Sequence, residues 1–202
     1  MTDLEEVLRE SGVKTIAGVD EAGRGPCAGP LVVAAVILPE LRSPELNAVK
    51  DSKALSEKRR EELFDVITEQ ALSYSIIEIT SEAIDAQGLH VCNLEGMRRA
   101  INALSTTPDY VLTDGYAIPG LLVPNLAVWK GDQVALSVSA ASILAKVYRD
   151  RIMRQADLLY PSYGFAKHKG YITKVHTEAL HKHGVTPIHR RSFANIKELL
   201  SS

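Results

Sequence analysis

Two adjacent acids followed by a cluster of glycines, in the stretch from Ile16 to Pro30 (IAGVDEAGRGPCAGP), set the tightest limits on this chain. Ile16, Ala17 and Val19 read as the end of a short buried strand, and Asp20 and Glu21 put two carboxylates side by side at that end. Gly23, Arg24 and Gly25 follow, and Pro26, Gly29 and Pro30 lead into the apolar run LVVAAVIL. A hydrophobic core has no use for neighbouring acids at a strand end. A site for Mg²⁺ or Mn²⁺ does, because hard cations take oxygen ligands. Successive side chains on a regular strand point to opposite faces, so Asp20 and Glu21 serve one site only if the strand stops or bends between them. The glycines let backbone N–H groups come close to a phosphate or sugar, with Arg24 as a cationic fork beside them. The same residues also read as an acidic turn between two hairpin strands, and on their own they leave both readings open.

The 202 residues suit one domain, 1–202, whose last part, from about 160, is basic and helical. A hydrophobic share of 46% is enough for a sizeable core, yet no run of eighteen apolar residues occurs, so no membrane-spanning helix is expected. The start, MTDLEEVLRESG, is acidic and amphipathic, unlike a secretory signal. Cys27 and Cys92 make no metal-ligand spacing, and a reduced, cytoplasmic protein is expected. The net charge of −2 does not suggest a nucleic-acid partner, but its distribution does. From Tyr160 onward seven Lys/Arg stand against two Asp/Glu, a balance of +5, which leaves sixteen basic and twenty-three acidic residues, −7, before it. A basic segment on an acidic body is a footprint for a phosphate backbone. It is also what a solvated basic helix looks like.

The pattern along the chain predicts a short helix over 1–11 and nearly continuous apolar strands over Thr15–Val19 and Leu31–Leu38. A loop over 40–50 precedes a helix over 56–70 with Ser56 as N-cap, and a third strand spans Tyr74–Thr80. Helices over 81–87 and 89–104 divide at Gly88, and strands follow at Asp109–Thr113 and Leu126–Trp129. A long helix runs from Gln133 to Tyr160, stopped by Pro161, with further helices around 173–183 and 195–200. Paired strands followed by alternating helices and strands argue for α/β layers around a mixed sheet.

Asp114 follows the run YVLT and precedes Gly115; alone it reads as an Asp-Gly turn. Asp132 precedes the long helix and alone reads as its N-cap. Taken with Asp20 and Glu21, all four acids lie at strand ends or a strand-to-helix junction, where distant parts of a chain converge. Carboxylates gathered there repel one another unless cations neutralise them, and two divalent ions make in-line attack on phosphorus feasible. Lys53, Lys146 and Arg149 are candidates for phosphate contact, and His168 between Lys167 and Lys169 reads as phosphate-facing. His176, His181 and His183 lack a zinc spacing. The small residues Ser139, Ala140, Ala141 and Ser142 allow close approach by either the sheet or a nucleic-acid backbone. The glycine loop is not a triphosphate-binding loop, since no Gly-Lys-Ser/Thr follows it.

The stretch 16–30 resembles the signature segment of the ribonuclease HII family. The likeness continues, in family order, at Asp51-Ser52-Lys53, Thr113-Asp114-Gly115, Ser139 to Asp150 (SAASILAKVYRD) and His168 to Tyr171 (HKGY). Arg24, where the sister family ribonuclease HIII usually has lysine, and the short stretch before Asp20 favour HII. Cys27 stands where the family more often has a larger apolar residue. The resemblance implies the ribonuclease H-like fold, a five-stranded mixed sheet flanked by helices with a helical C-terminal extension. It implies that Asp20 bridges two ions, Mg²⁺ or Mn²⁺, with Glu21, Asp114 and Asp132 completing the shell. It further implies that Gly23, Arg24 and Gly25 hold a ribonucleotide's 2′-hydroxyl, the group that tells RNA from DNA, and that Tyr171 packs on the neighbouring deoxyribose. The implied substrate is an RNA–DNA hybrid or ribonucleotide-containing duplex DNA, and the implied state is a monomer. A junction resolvase on the same fold and a non-catalytic hybrid-binding protein are the alternatives; the DEAGRG and HKGY segments disfavour the first, the full set of acids the second.

Overall fold

The computed structural model describes residues 4–49 and 55–201, the side chains of residues 132 and 133 excepted. The Asp51-Ser52-Lys53 segment, and with it Lys53, lies outside the described residues. Strands β1 (Ile16–Ala22), β2 (Leu31–Ile37), β3 (Ser73–Ile79), β4 (Tyr110–Asp114) and β5 (Asn125–Val128) form one sheet in the order β3-β2-β1-β4-β5. β2 pairs antiparallel with β1 and β3, while β4 runs parallel to β1 and to β5. The five-stranded mixed sheet is the one the sequence predicts.

Every residue of β2 is buried, which explains its unbroken apolar run: the sheet is covered on both faces. On one face Val32, Ala34 and Val36 meet Ala140, Ile143, Leu144 and Val147 of the long helix α7 (Leu136–Leu159), backed by Leu63 and Ile67 of α3 (Glu57–Gln70). On the other, Val33, Ala35 and Ile37 meet Met97, Ala100 and Ile101 of α5 (Leu89–Asn102), which follows α4 (Ser81–Gln87). The C-terminal part, α8 (Phe165–His168), α9 (Lys174–His183) and α10 (Ala194–Ser201), shares a core of Phe165, Leu180 and Ile196 with Cys27 and Met153. A helix over Leu4–Glu10 lays Leu4 and Leu8 against Leu112 and Val138. Among the described residues no helix is long and apolar enough to cross a membrane.

Three expectations need correction. The strand carrying Asp20 and Glu21 does not stop between them: it continues to Ala22, because Asp20 pairs with Ala34, Glu21 with Val33 and Ala22 with Val32. What stops is the pairing with β4, whose last register pair is Val19 with Thr113. The long helix is also interrupted. A short turn of helix, Gly131–Val134, is followed by Ala135 in extended conformation (φ −141°, ψ 123°), and α7 starts at Leu136. Asp132 therefore lies inside that short turn and does not cap the long helix. Finally, the expected loop around Pro44 holds a helical turn, Pro44–Asn47, capped by the Ser43 side chain, which accepts from the Leu46 N–H at 3.1 Å.

Candidate active site

β1 has an antiparallel neighbour on one side and a parallel one on the other, and past Val19–Thr113 it parts from β4. Asp20 and Asp114 are the next residues on the two strands, so the parting point lies between two acids. Openings of this kind beyond the ends of parallel strands are where ligands bind in α/β sheets. Asp20 faces α7 and is 5% exposed. Burial first, and then the nearby Glu21 and Asp114 carboxylates, push its carboxyl well above the usual range, while the Ser142 hydroxyl and the Glu21 N–H pull part of the way back. That N–H donates to Asp20 Oδ1 at 2.7 Å.

Glu21 leaves the strand on the other side, as strand geometry requires. With the β4 pairing ended at Val19, the carboxylates of Asp20, Glu21 and Asp114 still act on one another, so the strand need not stop for them to share a site. The Glu21 carboxyl is raised by burial, against which Arg24 acts most strongly, with Nη1 at 3.4 Å from Glu21 Oε1. Glu21 Oε2 is buried without a hydrogen-bond partner. Beside it lies Asn93, wholly buried, whose amide oxygen and nitrogen are likewise unpartnered. α5 approaches this closely because Gly96 has no side chain: a Cβ there would lie 2.6 Å from Ile79 and 2.8 Å from Val33, the residue paired with Glu21. Asp114 Oδ1 accepts from the Gly131 N–H at 2.9 Å, which ties the end of β4 to the turn bearing Asp132. The Asp132 side chain lies outside the described residues. Among the described residues no three His, Cys, Asp or Glu side chains close around one point as a finished metal shell does.

The glycine loop opens on a cleft of about 370 Å³ lined by Glu21, Gly23, Arg24, Gly25, Ser142, Lys146 and Tyr171, with Arg60 and Arg149 also in its wall. Arg24 lies over the Tyr116 ring, 4.5 Å from its centroid, so its guanidinium is held between an aromatic face and Glu21. Tyr171 is 49% exposed and reaches the loop: a Cβ on Gly25 would lie 3.4 Å from Tyr171 Cε1. On α7, Ser139, Ala140 and Ala141 are buried, while Ser142 and Lys146, four residues apart and so on one helix face, turn toward the cleft. Lys146 Nζ pairs with both oxygens of Asp150, at 2.5 and 2.7 Å.

Arg149 does not take the phosphate-facing place expected of it. It is 1% exposed, and its Nε, Nη1 and Nη2 donate to the carbonyls of Pro30, Lys169 and Ala28 at 2.9, 2.9 and 3.0 Å. Helix α7 brings it directly under Gly23, where a Cβ would lie 2.1 Å from Arg149 Nε and where φ is +99°, so only glycine fits. His168 is also turned inward. Its Nε2 lies 2.7 Å from the Tyr163 carbonyl, its Nδ1 accepts from the Gly170 N–H, and its ring stacks on His176 at 4.5 Å.

The site thus brings together Asp20, Glu21, Asp114, Gly23–Gly25, Lys146 and Tyr171. Sequence reasoning passed over Asn93, Arg60 and Tyr116. Of these only Asn93 carried a signal, a polar residue on the apolar face formed by Leu89, Met97 and Ala100.

Comparison with known proteins gives the class first. The ribonuclease H2 of Pyrococcus horikoshii OT3 has the same fold, with a TM-score of 0.81 at 30% identity over 93% of this chain and 97% of that one. Among curated relatives, the ribonuclease HII of Salinispora arenicola is 53% identical over 193 residues, 96% of this chain and 72% of the relative. That of Mycobacterium marinum is 54% identical over 196 residues, 97% and 82%. The family model described as Ribonuclease HII matches residues 17–196. The chain belongs to the ribonuclease HII family and is a nuclease.

Proposed function

We propose that this protein is a divalent-metal-dependent endonuclease of the cytoplasm. It hydrolyses the RNA strand of RNA–DNA hybrids and cuts 5′ to single ribonucleotides embedded in duplex DNA, leaving 5′-phosphate and 3′-hydroxyl ends. One observation carries the reading: Glu21, the Gly23–Gly25 loop and Tyr171 line one cleft, and the buried Asp20 carboxyl is bonded to Ser142 of the same wall.

The residues present suit Mg²⁺ or Mn²⁺. The donor set is all oxygen, Glu21 Oε2 is buried without a hydrogen bond, and the Asp20 carboxyl is destabilised as a bare anion by burial and then by its acidic neighbours. Asp20, Glu21, Asp114 and Asp132 would hold two ions. Bound there, such ions supply a more acidic water and charge stabilisation for the leaving oxygen. The chain's own residues do the rest. Ser142 and the Glu21 N–H orient Asp20, and the Gly131 N–H orients Asp114. The loop between Ala22 and Pro26 offers N–H groups without side chains in the way, so a 2′-hydroxyl can be bonded where a deoxyribose has nothing to offer. Tyr171 presents a ring face on which the next sugar packs. Lys146, on the cleft wall and paired with Asp150, would supply positive charge for a phosphate by exchanging that carboxylate for it.

The experiment is cleavage of a labelled DNA duplex carrying one ribonucleotide, with Mg²⁺, Mn²⁺ or EDTA, beside an all-DNA duplex. A metal-dependent cut just 5′ of the ribonucleotide, with the all-DNA duplex intact, is expected. Equal cleavage of both, or cleavage in EDTA, overturns the reading.

A further inference from the structure

The glycine loop is held by two buried arginines, and the second comes from the far end of the chain. Arg190 is wholly buried. Its Nη2 donates to the Gly23 carbonyl at 2.6 Å, its Nη1 to the Arg24 carbonyl at 3.2 Å and its Nε to the Gly29 carbonyl at 3.0 Å. With the three carbonyls taken by Arg149, five carbonyls of the 23–30 segment and that of Lys169 are bound by two guanidinium groups. Among the described residues neither arginine forms an ion pair. Asp85 and Asp150 act on them only from beyond contact, and a buried cation without a contacting anion is costly unless carbonyl dipoles replace its hydration, so the carbonyls must stay turned toward it.

The segment bearing Arg190 is itself registered to the loop. The Gly29 N–H donates to the Ile188 carbonyl at 2.8 Å, and the Arg190 N–H to the Cys27 carbonyl at 2.8 Å. The guanidinium also packs against Phe193, 5.1 Å from the ring centroid.

A trans peptide has its C=O and N–H pointing opposite ways. Fixing the Gly23 and Arg24 carbonyls on Arg190 therefore aims the Arg24 and Gly25 N–H groups away from it. Among the described residues neither N–H donates to a backbone carbonyl, and both residues line the cleft.

We propose that Arg190 is a positioning residue for ribose selection: it fixes the two peptides whose N–H groups meet the sugar. The proposal rests on the reading given under Proposed function. It makes the C-terminal segment part of the recognition machinery, although Arg190 touches no substrate.

The test compares Arg190→Lys and Arg190→Met with the unaltered protein on the single-ribonucleotide duplex. It also follows thermal melting and hydrogen exchange of the Cys27 and Gly29 amides, whose bonds to the Gly170 and Ile188 carbonyls tie the loop down. A displaced loop costs roughly a hundredfold in kcat/KM. We expect that loss in Arg190→Met, a smaller one in Arg190→Lys, and recovery of Arg190→Ala by added methylguanidinium. Faster exchange should be confined to the loop, with sheet amides unchanged. A merely structural role would instead speed exchange throughout and lower activity in step with the melting temperature, without rescue; that result, or variants as active as the unaltered protein, overturns the proposal. If Arg190→Met does not fold, Arg190→Lys decides alone. If the unaltered protein leaves the ribonucleotide duplex uncut, the functional reading has failed. The exchange data on the metal-free protein then still decide whether Arg190 fixes the loop.

Discussion

Asp20 is opposed as an anion by burial, by Glu21 and by Asp114 together, and this has a consequence for stability. A carboxyl raised above its unfolded value contributes stability below the unfolded pKa and loses it as pH rises through the folded one. The metal-free protein should therefore gain stability from this group as pH falls from neutrality. Asp20→Asn should melt higher than the unaltered protein at neutral pH without metal, by the equivalent of about 1–3 kcal/mol. The difference should close on acidification. In the presence of Mg²⁺ the order should invert, since only the unaltered protein gains from the ion, and turnover should be lost. Calorimetry at several pH values with and without Mg²⁺ checks this; an Asn variant less stable than the unaltered protein in the metal-free state would refute it. At this scale the sequence told much. That Asp20, Glu21 and Asp114 come together was legible because all three are acids at predicted strand ends, although each alone also read as a turn. Arg149 and Arg190 were not, because a basic residue in a helix or a basic tail gives no sign that its head is buried. Their roles depend on carbonyls more than a hundred positions away in several cases.

The elements around the loop are joined by a histidine pair. His176 Nε2 on α9 lies 3.0 Å from His189 Nε2, and both rings are buried. His189 is pushed down to about 4, by burial first and then by His176, and His176 is lowered by burial. The groups facing them are the Cys27 thiol at 3.8 Å from His176 Nδ1, the His168 ring, and Thr186, whose N–H donates to His189 Nδ1; the Arg190 cation is adjacent in sequence. A base whose folded pKa is depressed contributes stability that is present above its unfolded value, near 6.5, and is lost as pH falls toward about 4. Acidification through that window should loosen the hold of the 186–190 segment on the glycine loop. Hydrogen exchange should then show the Gly29 and Arg190 amides losing protection before the β1–β2 amides do; simultaneous loss would argue against this. Element boundaries were readable where local chemistry sets them, as at Ser56 and Thr80, whose side chains accept from the N–H three residues on. They were not readable at Ala135. That break is stabilised from a distance, by Asp114 accepting from Gly131 N–H and by Glu5 accepting from Ser137 N–H at 2.7 Å.

For the whole molecule, the charge asymmetry is real but smaller at the surface than the residue count suggests. Of the seven basic residues after Tyr160, Lys169 and Arg190 are buried and serve the fold, while Lys167, Lys174, Lys182, Arg191 and Lys197 are exposed. The exposed balance against Glu178 and Glu198 is therefore +3, not +5. Lys167 and Lys174 are exposed four residues before and three after Tyr171, which makes them the first candidates for contact with a phosphate backbone crossing that ring. Each phosphate neutralised by a lysine releases condensed counterions and steepens the fall of affinity with salt by about 0.9 in log–log slope. Replacing Lys167 and Lys174 by Met should weaken hybrid binding and flatten that slope by roughly two, with kcat at saturating substrate and the melting temperature nearly unchanged. Replacing Lys182 and Lys197 supplies the control, since a slope that responds equally to both pairs would mean a diffuse field and not a docking track. A slope unmoved by the Lys167 and Lys174 change would place the phosphate backbone on other basic residues, such as Arg60 and Lys146 of the cleft wall.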